Sequence, residues 1–159
     1  MKAIVTTWSR FWRLSGRARG VALEAAAALT ATYMGLRLGG FRRWKAALAW
    51  FVPAAAGPAI PLNRAKIDSA REIARLEQAV ARHLFFRANC LESSLVLWWL
   101  LERRGIAAEL RIGVRKDAGN FEAHAWVESG GAVLNDPGEA HRHFVPFEGS
   151  IASMETQTH

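Results

Sequence analysis

The apolar residues of this chain change period part-way along it. Before Cys90 they recur at helical spacing, and from Ile106 to about Phe147 they alternate as strands do. Val21–Leu38 is rich in Ala and Leu, interrupted by Glu24 and Arg37, and predicts a helix. Asp68–Leu84 predicts another, with Ile73, Leu76, Val80 and Leu84 spaced for one buried face. Met1–Gly20 is a basic arm with Trp8, Phe11, Trp12 and Leu14, consistent with an amphipathic helix; its apolar stretch is too short for a secretory signal and lacks a cleavage site. Ala46–Leu62 runs seventeen residues without a charge, but Pro53, Pro58 and Pro61 with Gly57 break any spanning helix, so a loop or short buried segment is expected.

A third apolar helical run, Leu91 to Leu101, follows Arg87-Ala88-Asn89-Cys90. Glu92 stands early in it and Arg103-Arg104 late, the charge order that the helix dipole favours, and Gly105 is placed to end it as a left-handed cap. Cys90, the single cysteine, therefore opens a helix. Free N–H groups and the positive dipole end at such a position favour a thiolate, and the same N–H groups, that of Cys90 included, are placed to supply part of an oxyanion hole.

Two further residues complete a nucleophilic pattern. His124 lies in Phe121-Glu122-Ala123-His124-Ala125-Trp126-Val127-Glu128 and Asp136 in Val133-Leu134-Asn135-Asp136, both in stretches that alternate as strands. Between them is Ser129-Gly130-Gly131. A three-residue loop here pairs Glu128 with Ala132 and brings His124 opposite Asp136, within reach for a carboxylate to hold an imidazole. A two-residue loop puts His124 opposite Asn135 instead, which can also orient a histidine. A base oriented by such a partner is the third element of a Cys-His-Asp triad. Glu122 and Glu128 share the His124 face and read as rim, while Trp98 and Trp99 read as core. His141 and His143 stand at strand spacing about Arg142 and lack a third ligand for a metal.

Asn89-Cys90-Leu91-Glu92-Ser93-Ser94-Leu95 through Leu100–Ile106, then Leu110-Arg111-Ile112-Gly113-Val114, Phe121–Glu128 and Asn135-Asp136, resemble the lasso-peptide leader peptidases of the transglutaminase-like, papain-related superfamily. The resemblance covers Cys90 to Asp136 strongly and the helical region before it more loosely. It implies an α+β fold, with a helical N-terminal region followed by a papain-like core whose nucleophile sits at a helix N-terminus packed on a small antiparallel sheet. Its division is a helical region over 1–85 that docks a partner, a cysteine protease core over 86–150 and a tail over 151–159. It further implies that Cys90 is the nucleophile, His124 the general base and acid, and Asp136 the orienting carboxylate, with no cofactor and no metal. The reaction implied is removal of the leader from a ribosomally made precursor, before a separate ATP-using cyclase closes the macrolactam. The same triad also fits an acyl transferase or amidase, and a non-catalytic helical interaction protein is the third class.

Length and charge bound these readings. At 159 residues the chain suits one domain with a helical extension, and 51% hydrophobic residues exclude a disordered chain. One cysteine forms no internal disulfide, and a reducing cytoplasm keeps a catalytic thiol usable. Residues 1–90 carry 15 Lys and Arg against 4 Asp and Glu, whereas residues 91–159 carry 6 against 10. The arginines of the basic half are dispersed among Ala and Leu with no nucleic-acid signature, so a solvated helical face or a partner surface is expected rather than nucleic acid or membrane. Residues 1–89 show no alternating pattern able to build a strand-rich leader-recognition element. That element is expected in trans, docked on the basic half and raising the effective concentration of the scissile bond.

Overall fold

The computed structural model describes residues 14–51, 63–117, 120–136 and 138–146. Among the described residues three helices, α1 (Gly16–Trp50), α2 (Arg64–Ala81) and α3 (Cys90–Glu102), precede a sheet of β1 (Glu109–Asp117), β2 (Asn120–Ser129), β3 (Ala132–Val133) and β4 (Val145–Pro146). The strand order is β3-β2-β1-β4, antiparallel throughout. The fold is α+β, as the change of period implies.

α1 starts where the Ser15 hydroxyl accepts from the Ala18 N–H, and it runs well past Leu38. It breaks at Gly40, whose φ of 70° and ψ of 170° are outside helical space, and resumes to Trp50. The break lets the chain bring Trp44 over Gly35, where a Cβ would lie 2.2 Å from the indole, and the Trp44 Nε1–H donates to the Thr32 hydroxyl at 3.1 Å. The front of the uncharged stretch expected to be a loop is thus helical. Its remainder from 52 to 62, and the basic arm over 1–13, lie outside the described residues. Among the described residues no helix is long and apolar enough to cross a membrane.

Apolar stripes of the three helices meet in one core. Val21, Ala25 and Leu29 of α1, Ala70 and Ile73 of α2, and Leu95 to Leu97 with Leu100 and Leu101 of α3 pack together, and Val127 of β2 joins them from the sheet. α3 is apolar nearly all round because helices lie on one side of it and the sheet on the other. Trp99 is buried, as expected, and Trp98 is half-buried with Lys45 over its ring. After Glu102, Gly105 takes the left-handed conformation, φ 65°, and the Ile106 N–H returns to the Leu101 carbonyl.

The second hairpin differs from the expected register. Ser129 pairs with Ala132 and Glu128 with Val133, so the loop is Gly130-Gly131 alone. Both glycines have positive φ, 56° and 77°, as the tight two-residue turns of hairpins demand, and this shortens the loop by one residue. Neither expected pairing, His124 with Asp136 or His124 with Asn135, occurs in the ladder, which stops at Val133. It stops because the Asn135 side chain replaces the next backbone acceptor: its Oδ1 accepts from the Val127 N–H at 2.8 Å. The strand spacing read around His141 is likewise a 3-10 turn, Ala140–His143, entered through Glu139 with φ 52°.

Candidate active site

Asn89 sets the start of α3. Its side chain accepts from the Glu92 N–H and the Glu92 carboxylate accepts from the Asn89 N–H, both at 2.9 Å, which closes a capping box. With those two donors used, no hydrogen bond among the described residues takes the N–H groups of Cys90 and Leu91 on the first turn. Glu92 is buried and faces the Arg37 guanidinium at 3.7 Å; that guanidinium lies over Tyr33, whose ring packs on Phe86 4.4 Å away. A basic and aromatic wall from α1 and the α2–α3 connection therefore flanks the helix start. Cys90 itself is exposed.

Ser94, one turn after Cys90, joins the helix to the sheet. Its hydroxyl donates to the Ala125 carbonyl at 2.9 Å and accepts from Asn135 Nδ2 at 2.8 Å. Asn135 is committed to Ser94 and Val127 and does not hold His124. Ser93 donates to the buried Glu77 of α2 at 2.7 Å, so two consecutive serines tie the first turns of α3 to its neighbours.

His124 and Asp136 come together without being ladder partners. The His124 Nε2 lies 3.6 Å from Asp136 Oδ2, an ion-pair separation too long for a hydrogen bond. That nitrogen is buried and has no hydrogen-bond partner among the described residues. The imidazole is packed by Phe144 at 5.3 Å and Trp126 at 6.0 Å between ring centres. Gly113, paired with His124 across the ladder, leaves room for this packing: a Cβ there would sit 2.8 Å from that of Phe144 and 3.0 Å from the Trp126 ring. Glu122 pairs with Arg115 at the exposed rim, and Glu128 accepts from the Trp126 Nε1–H.

The nearest donor to Asp136 is a residue that the sequence did not single out for the site. The His141 backbone N–H and its imidazole Nδ1–H both donate to Asp136 Oδ2, at 2.6 and 2.8 Å. Burial works to raise the Asp136 carboxyl, but these two bonds, the Ala140 N–H and the His124 imidazole outweigh it and hold its pKa below the usual carboxylate value. The structure thus groups His124, Asp136 and His141. Cys90 stands one turn before the Ser94 junction, with no hydrogen bond among the described residues reaching its Sγ. Among the described residues no group of three His, Cys, Asp or Glu side chains is arranged to hold a metal ion.

A family model described as the transglutaminase-like superfamily matches residues 35–148. The microcin J25-processing protein McjB of Escherichia coli is 43% identical over 67 residues, 42% of this chain. The matched stretch spans 30% of the relative's own length. No solved structure matches.

Proposed function

Since this chain belongs to the transglutaminase-like superfamily, a group that includes cysteine peptidases, we propose that it is a cysteine peptidase removing the leader from a lasso-peptide precursor in the cytoplasm. The observation that carries the reading is the exposed Cys90 on the first turn of α3, tied through Ser94 to the strand bearing His124, beside which Asp136 lies. Similarity to a protein named for processing microcin J25 supports it.

In this reading the Cys90 thiolate attacks the scissile carbonyl, and the resulting oxyanion faces the Cys90 and Leu91 N–H groups. His124, its Nε2 directed at Asp136, gives a proton from its other nitrogen to the leaving amine, which departs as a thioester forms on Cys90. The same nitrogen then takes a proton from water as the water attacks the thioester, releasing the acid and restoring the thiolate beside the imidazolium. The open Cys90 contact fits a free enzyme whose catalytic hydrogen bonds tighten in the complex. A separate leader-recognition protein delivers the precursor, and a cyclase takes the product.

Mass spectrometry of a lasso precursor incubated with the chain and its leader-recognition partner tests this. A single cut at the leader boundary, lost in Cys90→Ala, is expected. No cut in the wild type, or the same cut in the variant, overturns the reading, and a mass gain by an amine in place of water marks acyl transfer.

A further inference from the structure

We propose that His141 is a positioning residue of this site: by bonding Asp136 Oδ2 through its Nδ1–H at 2.8 Å, it fixes the carboxylate at the place from which that oxygen faces His124 Nε2. The proposal rests on the peptidase reading above and adds a fourth side chain to it.

Three observations carry it. First, both imidazoles address the same oxygen. Asp136 Oδ2 takes two hydrogen bonds from His141 and stands 3.6 Å from His124. A carboxylate only accepts, so His141 Nδ1 carries the proton in that bond. Second, Asp136 has no strand to hold it. The β2–β3 ladder ends at Val133 and the neighbouring Asn135 is turned toward Val127 and Ser94, so side-chain and turn contacts alone fix the carboxylate. Third, His141 is itself held. It lies in the 3-10 turn that Asp136 caps, about one-fifth exposed, with its ring 5.8 Å from that of the buried Trp126. Trp126 also stacks on His124, so one indole supports both imidazoles from β2.

The charged groups around this cluster are satisfied elsewhere. Arg115 of β1 lies over the Phe144 ring and pairs with Glu122. Arg142, next to His141, pairs with Glu139. Neither is hydrogen-bonded to Asp136, whose side-chain donor on that side is His141.

The backbone bond from His141 to Asp136 survives any side-chain change, so removal of the imidazole takes one of the two hydrogen bonds from Oδ2 and leaves the other. His141→Ala removes the imidazole donor. His141→Asn restores an N–H close to the position of Nδ1. The test measures precursor cleavage by wild type, Cys90→Ala, His141→Ala and His141→Asn, each with the leader-recognition partner, and the ring nitrogen signals of His124 by NMR without substrate.

His141→Ala is expected to lower kcat about tenfold with KM within about twofold, short of the hundredfold that an ångström-scale misplacement costs. His141→Asn should recover most of that loss. The His124 ring signals should move in His141→Ala in the direction that Asp136→Asn moves them, and stay near wild type in His141→Asn. Unchanged kcat in His141→Ala, an asparagine variant as slow as the alanine one, or a loss lying in KM overturns the proposal. So do His124 signals that ignore His141. Cleavage that persists in Cys90→Ala, or is absent in the wild type, refutes the peptidase reading instead, and the NMR arm then decides the role of His141 alone.

Discussion

Glu77 is a carboxylic acid in the core, and its burial gives the fold a pH dependence that can be measured. It lies on the apolar stripe of α2 with no solvent exposure, its Oε1 accepting from Ser93 and its Oε2 without a partner among the described residues. Burial is the leading influence and raises its pKa from 4.5 to about 7, against the Ser93 hydrogen bond and the Arg82 charge, which pull it down. The folded protein therefore keeps a proton that the unfolded chain releases between pH 4.5 and about 7. Because the native state binds more protons in that window, stability falls as pH rises through it: the contribution is full below 4.5 and gone above about 7. At about 1.4 kcal/mol per pH unit the window amounts to roughly 3 kcal/mol. Glu77→Gln keeps an acceptor for Ser93 and cannot ionise. Urea unfolding of both proteins at pH 5, 6, 7 and 8 isolates the effect, since every other titrating group is common to the pair and cancels in the difference. The wild type should lose about 2–3 kcal/mol relative to the variant between pH 5 and 8. Curves that run parallel within about 0.5 kcal/mol, the scatter of ordinary surface changes, would refute the argument.

Three further outcomes follow from single contacts. Asn89→Ala opens the capping box of α3 and should cost about 1 kcal/mol in urea unfolding, with slower cleavage because the turn that presents Cys90 frays. Gly113→Ala places a methyl against Phe144 and Trp126 and should cost about 1–3 kcal/mol, with the His124 and His141 ring signals displaced in NMR spectra. Asp136→Asn removes a carboxylate whose pKa is held low: its contribution is present above the unfolded value and lost as pH falls through the folded one, so the variant should unfold with less acid sensitivity than the wild type.

What the sequence disclosed here was whatever depends on period and on caps. The stripe of Ile73, Leu76 and Val80 marked α2, and the apolar run from Leu91 to Leu101 closed by Gly105 marked α3, while the capping box at Asn89 went unread. The same stripe held an unused clue, since Glu77 stands four residues after Ile73 and so had to be buried or displaced. The hairpin register was not legible, because Ser129-Gly130-Gly131 allows loops of either length and a shift of one changes every partner. The bend at Gly40 was not legible either. It requires Trp44 to find Gly35 and Thr32, contacts between a helix and its own continuation that no periodicity encodes.

His124 and Asp136 nevertheless lie 3.6 Å apart, brought near each other by something other than the ladder register. The expected geometry used the ladder, a backbone device, to oppose them. The chain uses side chains instead: Asn135 ends the ladder on Val127, Asp136 next to it caps the turn of Ala140–His143, and that turn returns His141 to the same carboxylate. A carboxylate held by a strand is fixed by many cooperative bonds, whereas one held by a turn depends on the few residues of that turn. The orientation of His124 should therefore respond to substitutions at 139–141 more than to substitutions in β3, whose two residues carry no part of the carboxylate's support.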